Sequence, residues 1–189
     1  MSEQALEPTR RRLTAKQADT VERLSRAALD LLRREGFSGL TVRRVAAEAG
    51  VGAATAYTYF ASKEHLVAEV FWRRLSSSPP TVHESDDPAT RVTEVLRHIA
   101  LLVLDEPAFA GAVTQAMLGR DPDVEVLRHR IGRDIRARLA AALGPDVDED
   151  VIESLEMLYS GALVRAGMGF TSYDEIADRL EKSARLMLR

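Results

Sequence analysis

Between Leu40 and Lys63 the chain spaces out side chains suited to one kind of chemistry, the grip on a polyanion with readable edges. Arg43 carries five N–H donors in a fixed fork, the match for guanine O6 and N7. A phosphate contact or a solvated charge is the other reading of that residue. Thr55, Tyr57 and Thr58 bring hydroxyls for phosphate oxygens or base edges, and methyl or ring carbons for thymine methyls. For Tyr57 the alternative is packing inside its own small domain. Tyr59 and Lys63 suit phosphate oxygens, which fix position without reading sequence. Thr41 could also touch phosphate, although helix capping is its first role.

Two short helices and a break must hold these groups. Thr41 caps the first, and Val42, Val45, Ala46 and Ala49 follow at helical spacing. Gly50 then ends the helix in a left-handed conformation. Val51, apolar inside the turn, is expected to be buried. The second helix runs from about Gly52 to Phe60, with Phe60 in the core. Gly52 opens it, and Ala53, Ala54 and Ala56 keep it slim, which lets the backbone approach DNA closely. This is the form of a helix-turn-helix whose second rod enters the major groove, so Tyr57 and Thr58 must stand clear of the protein.

These residues resemble the TetR family of transcriptional regulators. The resemblance rests on Thr41, on Ala49-Gly50-Val51, on Tyr57-Thr58-Tyr59-Phe60 and on Ser62-Lys63-Glu64, with Gly36-Phe37 and Leu40-Thr41 upstream. It covers about residues 14 to 72. Two positions depart from the pattern: Ala56 replaces a bulkier aliphatic, and Gly52 replaces a capping serine. The resemblance implies an all-α fold of about nine helices. An N-terminal three-helix DNA-binding domain would be joined to a larger C-terminal helical domain for effector binding and dimerisation.

Composition agrees with that division. The 189 residues include 46% hydrophobic side chains and no cysteine, with a mean hydropathy of −0.16. That combination reads as a globular protein without disulfides or thiolate metal sites. The formal charge of −3 is unevenly spread: residues 1–75 hold 13 Lys and Arg against 9 Asp and Glu, and residues 76–189 hold 13 against 20. A basic N-terminal part beside an acidic remainder suits DNA binding by the first. Met1 to Pro8 is polar and acidic, unlike a signal peptide, and no apolar run spans a bilayer. A cytoplasmic, nucleoid-associated protein is expected, with no membrane partner.

Helical periodicity runs throughout. A helix over about 15–35 carries Val21, Leu24, Ala28 and Leu31. Another opens at Ser62-Lys63-Glu64 and carries Leu66, Val70, Phe71 and Leu75. A polar stretch from Ser76 to Pro88 reads as linker. Five helices follow. One carries Val92, Val95, Leu96 and Ile99; the next lies between Pro107 and Gly119; the third opens at Asp121-Pro122-Asp123. The fourth runs from Asp148 to about Phe170, and the last opens with a capping box of Ser172 and Glu175. The expected domains are a basic arm over 1–13 with Arg10-Arg11-Arg12, a DNA-binding domain over 14–62, a connecting helix over 63–76, and an effector-binding and dimerisation domain over 77–189.

Catalysis finds little support. His65, His83, His98 and His129 lack metal-ligand spacing, no nucleophile motif is present, and neither metal nor cofactor is expected. Gly50-Val51-Gly52-Ala53-Ala54-Thr55 imitates a dinucleotide fingerprint, but a helix precedes it rather than a strand. By the resemblance, the middle helices enclose an effector cavity. Phe109, Val113, Met117, Met157, Tyr159, Leu163 and Phe170 could line it, with His98, Gln115 and Arg165 as polar points; ordinary core packing is the alternative for each apolar residue. Arg165 lies in an otherwise apolar run and so needs a partner: a carboxylate, a dimer contact or an anionic ligand. The same resemblance implies a homodimer through helices near 148–189.

The function expected is operator-specific regulation, with a repressor released from a palindromic double-stranded DNA site by a small molecule, lipid-like or an acyl thioester. The alternative is a helical ligand-binding protein, or a DNA-binding protein of low specificity.

Overall fold

A computed structural model of the chain describes residues 14–78 and 87–188; the Arg10–Arg12 cluster, His83 and most of the expected linker lie outside the described residues. Among the described residues the chain is helical and without strands. The elements are α1 (Ala15–Gly39), α2 (Val42–Glu48), α3 (Ala53–Tyr59), α4 (Lys63–Ser77), α5 (Pro88–Leu104), α6 (Pro107–Leu118), α7 (Pro122–Leu143), α8 (Glu149–Gly167) and α9 (Tyr173–Met187).

Local capping chemistry explains most of these limits. Thr14 and Gln17 form a reciprocal capping box at the start of α1. The same helix breaks at Gly36 and adds a last turn to Gly39. Asp87 accepts the amides of Ala89 and Thr90 ahead of Pro88, and Asp121 does the same for Asp123 and Val124. Helix α8 stops at Gly167, earlier than the expected Phe170. Gly169 takes φ 80°, and the amides of Gly169 and Phe170 return to the carbonyls of Ala166 and Arg165, the wiring of a glycine-closed helix end. At α9 half of the expected capping box forms. The Ser172 hydroxyl accepts from the Glu175 amide, but the Glu175 carboxylate accepts from the Thr171 hydroxyl at 2.7 Å.

The chain divides into two compact units. The first contains α1 to α4 together with residues 108–129. Its core holds Leu24, Leu32, Leu40, Val45, Phe60, Leu66 and Leu75, with Phe109 from the later segment. Helix α1 packs on α2 and α4, and α2 packs on α3. The second unit contains residues 78–107 and 130–189. There α9 packs on both α5 and α8, and Leu96, Ile99, Leu155, Ile176 and Leu180 of these helices are buried, as is Leu139 of α7. Among the described residues no single helix is long and apolar enough to cross a membrane.

Candidate nucleic-acid interface

The candidate interface residues stand on α2, the turn after it, and α3. The Thr41 hydroxyl accepts the Arg44 amide at 3.2 Å and so caps α2. Val42, Val45 and Ala46 face inward. At the other end Gly50 takes φ 62°, and the amides of Gly50 and Val51 return to the carbonyls of Ala47 and Ala46 at 3.2 and 2.8 Å. Val51 is half-buried rather than buried, because a three-residue turn at the surface cannot wrap it fully. Helix α3 then starts at Gly52 with no side-chain cap, as its glycine dictates.

Two residues seat α3: Ala56 and Phe60 are each 0% exposed. With that side turned inward, Gly52, Thr55, Tyr57 and Thr58 face solvent and Ala53 is half-buried. Tyr57 is 48% exposed, so packing within the domain does not occupy it. The Thr58 hydroxyl donates to the Ala54 carbonyl at 3.0 Å, which leaves its lone pairs and methyl outward.

The flanking residues divide by their partners. Arg43 is exposed and makes no ion pair among the described residues. Its neighbour Arg44 is committed to the protein: it donates to the Gly39 carbonyl at 2.8 Å and pairs with Glu35. Lys63 is half-buried; its ammonium donates to the Phe37 carbonyl at 2.9 Å and stands 4.3 Å from the centre of the Phe37 ring. Tyr59 is also half-buried, its ring tilted against Phe60.

Below α3, Ser62 opens α4 by accepting the His65 amide at 2.9 Å. The His65 ring accepts the Ala61 amide through Nδ1 and meets Phe60 edge-on. Burial pushes the Asp121 carboxyl up, but hydrogen bonds from Ser62 and from the Val124 and Asp123 amides, with His65 nearby, outweigh it and hold Asp121 below the usual carboxylate range. Arg23, on α1, donates from Nη2 to the carbonyls of Ala49 and Gly50 at 2.6 and 3.3 Å. Nothing in the periodicity of α1 announces that contact, since the partners lie 26 and 27 residues away.

The candidate effector residues fall in both compact units. Phe109 is buried beneath the Arg74 guanidinium, Gln115 is exposed and Met117 half-buried; all three belong to the first unit. In the second unit, His98 meets the Ser78 hydroxyl and Tyr159 is buried, which pushes its phenol pKa up. Met157 and Arg165 line one groove of about 460 Å³ between α8 and α9, with Leu158, Gly161, Ile176 and Leu180. Arg165 is exposed and lies over the Phe170 ring at 5.1 Å, so the buried charge that its apolar surroundings suggested does not arise. Among the described residues no group of His, Cys, Asp and Glu could hold a metal ion.

Residues 24–70 match the family described as bacterial regulatory proteins, tetR family. An HTH-type transcriptional regulator of Mycobacterium tuberculosis is 46% identical over 167 residues, covering 87% of this chain and 78% of that protein. The chain belongs to the TetR family. It is therefore a DNA-binding transcriptional regulator of the helix-turn-helix type, in a family that is not one of enzymes. Solved TetR structures share the fold. A TetR regulator from a Rhodococcus species superposes with a TM-score of 0.73 at 24% identity, over 93% of this chain and 98% of its own. The TetR repressor FadR of Thermus thermophilus, in complex with lauroyl-CoA, gives 0.59 at 23%, over 89% and 93%.

Proposed function

We propose that this TetR regulator is a sequence-specific repressor that reads a near-palindromic operator through the outward face of α3. The observation that carries the reading is the exposure of Thr55, Tyr57 and Thr58 beside an exposed Arg43 that makes no ion pair among the described residues. Arg43 grips a guanine edge, the three α3 residues contact bases, and Thr41, Tyr59 and Lys63 hold backbone phosphates. Gly52 and Ala53 let the helix backbone approach closely.

A homodimer places two such helices about one DNA turn apart, roughly 34–36 Å. Its proposed interface is α8 with α9, where Met157, Met168, Phe170 and Leu186 are exposed and a Cβ on Gly161 would meet nothing within 4 Å. A small lipid-like effector, an acyl thioester by likeness to the lauroyl-CoA complex of the T. thermophilus protein, releases the DNA. By linkage DNA weakens effector binding equally. The protein works in the cytoplasm, at the nucleoid.

The test is a fluorescence titration of duplexes selected from a random pool against scrambled duplexes, at fixed salt. Wild type should prefer the selected duplex. Arg43→Ala should lose about 1–3 kcal/mol on it and relax the preference at one base pair. Equal binding of both duplexes by wild type would leave a DNA protein of low specificity instead.

A further inference from the structure

We propose that Arg23 is a positioning residue for sequence reading: by holding the carbonyls of Ala49 and Gly50 it fixes the angle at which α3 leaves α2. The assignment rests on the interface proposed above. It starts from the hydrogen-bond accounting at the end of α2, where the last carbonyls lack intrahelical donors. Ala49 returns its amide to Val45, Gly50 to Ala47 and Val51 to Ala46. Past Glu48, the carbonyls of Ala49 and Gly50 both accept from Nη2 of Arg23.

Three properties suit Arg23 to this task. Its donor is a cation at the carboxyl end of a helix, where carbonyl dipoles concentrate negative potential, and the 2.6 Å contact has the short length of a charge-assisted bond. Its base is the part of α1 before the break at Gly36, in a helix packed on both α2 and α4, so the turn is tied to a packed element. Its target is the segment that sets the interhelical angle. Gly50 and Gly52 bracket that turn, and glycine torsions are soft, so a bridging guanidinium restricts freedom that the half-buried Val51 leaves at its two glycines. Contact is close: a Cβ built on Gly50 would stand 3.5 Å from Nη2.

The experiment measures wild type, Arg23→Ala and Arg23→Lys on the pool-selected duplex and its scrambled counterpart across a salt series, with urea unfolding of each variant. Arg23→Ala should lower the selected-to-scrambled affinity ratio by about tenfold, within the range carried by one good base contact. The slope of log affinity on log salt should stay at the wild-type value, because Arg23 is spent on carbonyls. Arg23→Lys should recover only part of the ratio, one ammonium reaching one carbonyl well. An unchanged ratio in Arg23→Ala overturns the assignment. So does an equal loss on both duplexes with the slope reduced by about 0.9, the signature of a phosphate contact. Should Arg23→Ala fail to fold, a wild-type ratio in folded Arg23→Lys overturns it alone. A wild-type protein with no preference between the duplexes would instead overturn the interface reading beneath it.

Discussion

Lys63 carries two demands on one ammonium. One of its three donors goes to the Phe37 carbonyl, and its charge lies over the Phe37 ring; the proposed phosphate must be met by the remaining donors. Lys63→Met should therefore do two things together. It should cost about 1 kcal/mol in urea unfolding through the lost bond, and reduce the salt slope of DNA binding by about 0.9 on every sequence. A loss confined to one base pair would contradict the phosphate role, and an unchanged urea midpoint would contradict the role of the Phe37 contact. His98 is the residue at which acidity should tell. Burial, and then the neighbouring Arg138 cation, hold its pKa below the ordinary 6.5. The unfolded chain thus takes up this proton at a higher pH than the folded one. The stability concerned is complete above about pH 6.5 and is lost as pH falls through the folded value. Urea unfolding from pH 7 to 5 should weaken wild type more than His98→Gln; parallel curves would dismiss the effect.

Helix ends were readable in the residues wherever the capping chemistry is local. Thr41, Gly50, Asp121-Pro122 and Ser172 all mark the limits expected of them, because each satisfies backbone groups within a few positions. The outward set on α3 was readable for the same reason: small Ala56 and aromatic Phe60 seat one side, so Tyr57 and Thr58 must leave on the other. Long-range ties were not. The Arg23 clamp and the Arg136 pairing with Glu156 join residues whose separation no periodicity encodes. Among the effector candidates, apolar type alone does not distinguish core from surface: Phe109 is 1% exposed and Met157 62%. At this scale Gly50→Ala is the decisive change. An alanine at φ 62° should cost roughly 1–2 kcal/mol, read as an earlier urea midpoint, whereas Gly50→Asn should cost less because asparagine tolerates that conformation.

For the molecule as a whole, the proposed assembly predicts a sedimentation mass about twice 20.9 kDa at micromolar concentration. Gly161→Arg should reduce it to the single-chain value without loss of helicity, since the added side chain meets open space within its own chain. A wild-type mass near 20.9 kDa would place the α8–α9 face outside any stable dimer. The grouping of residues 108–129 with the first four helices bears on how this protein could be taken apart. Arg74 lies over Phe109, and Ser62 donates to Asp121. A gene cut after codon 77 would discard both supports. The proposed DNA-reading part would then be discontinuous: a chimera carrying residues 14–77 together with 108–129 should show a later urea midpoint than one carrying 14–77 alone.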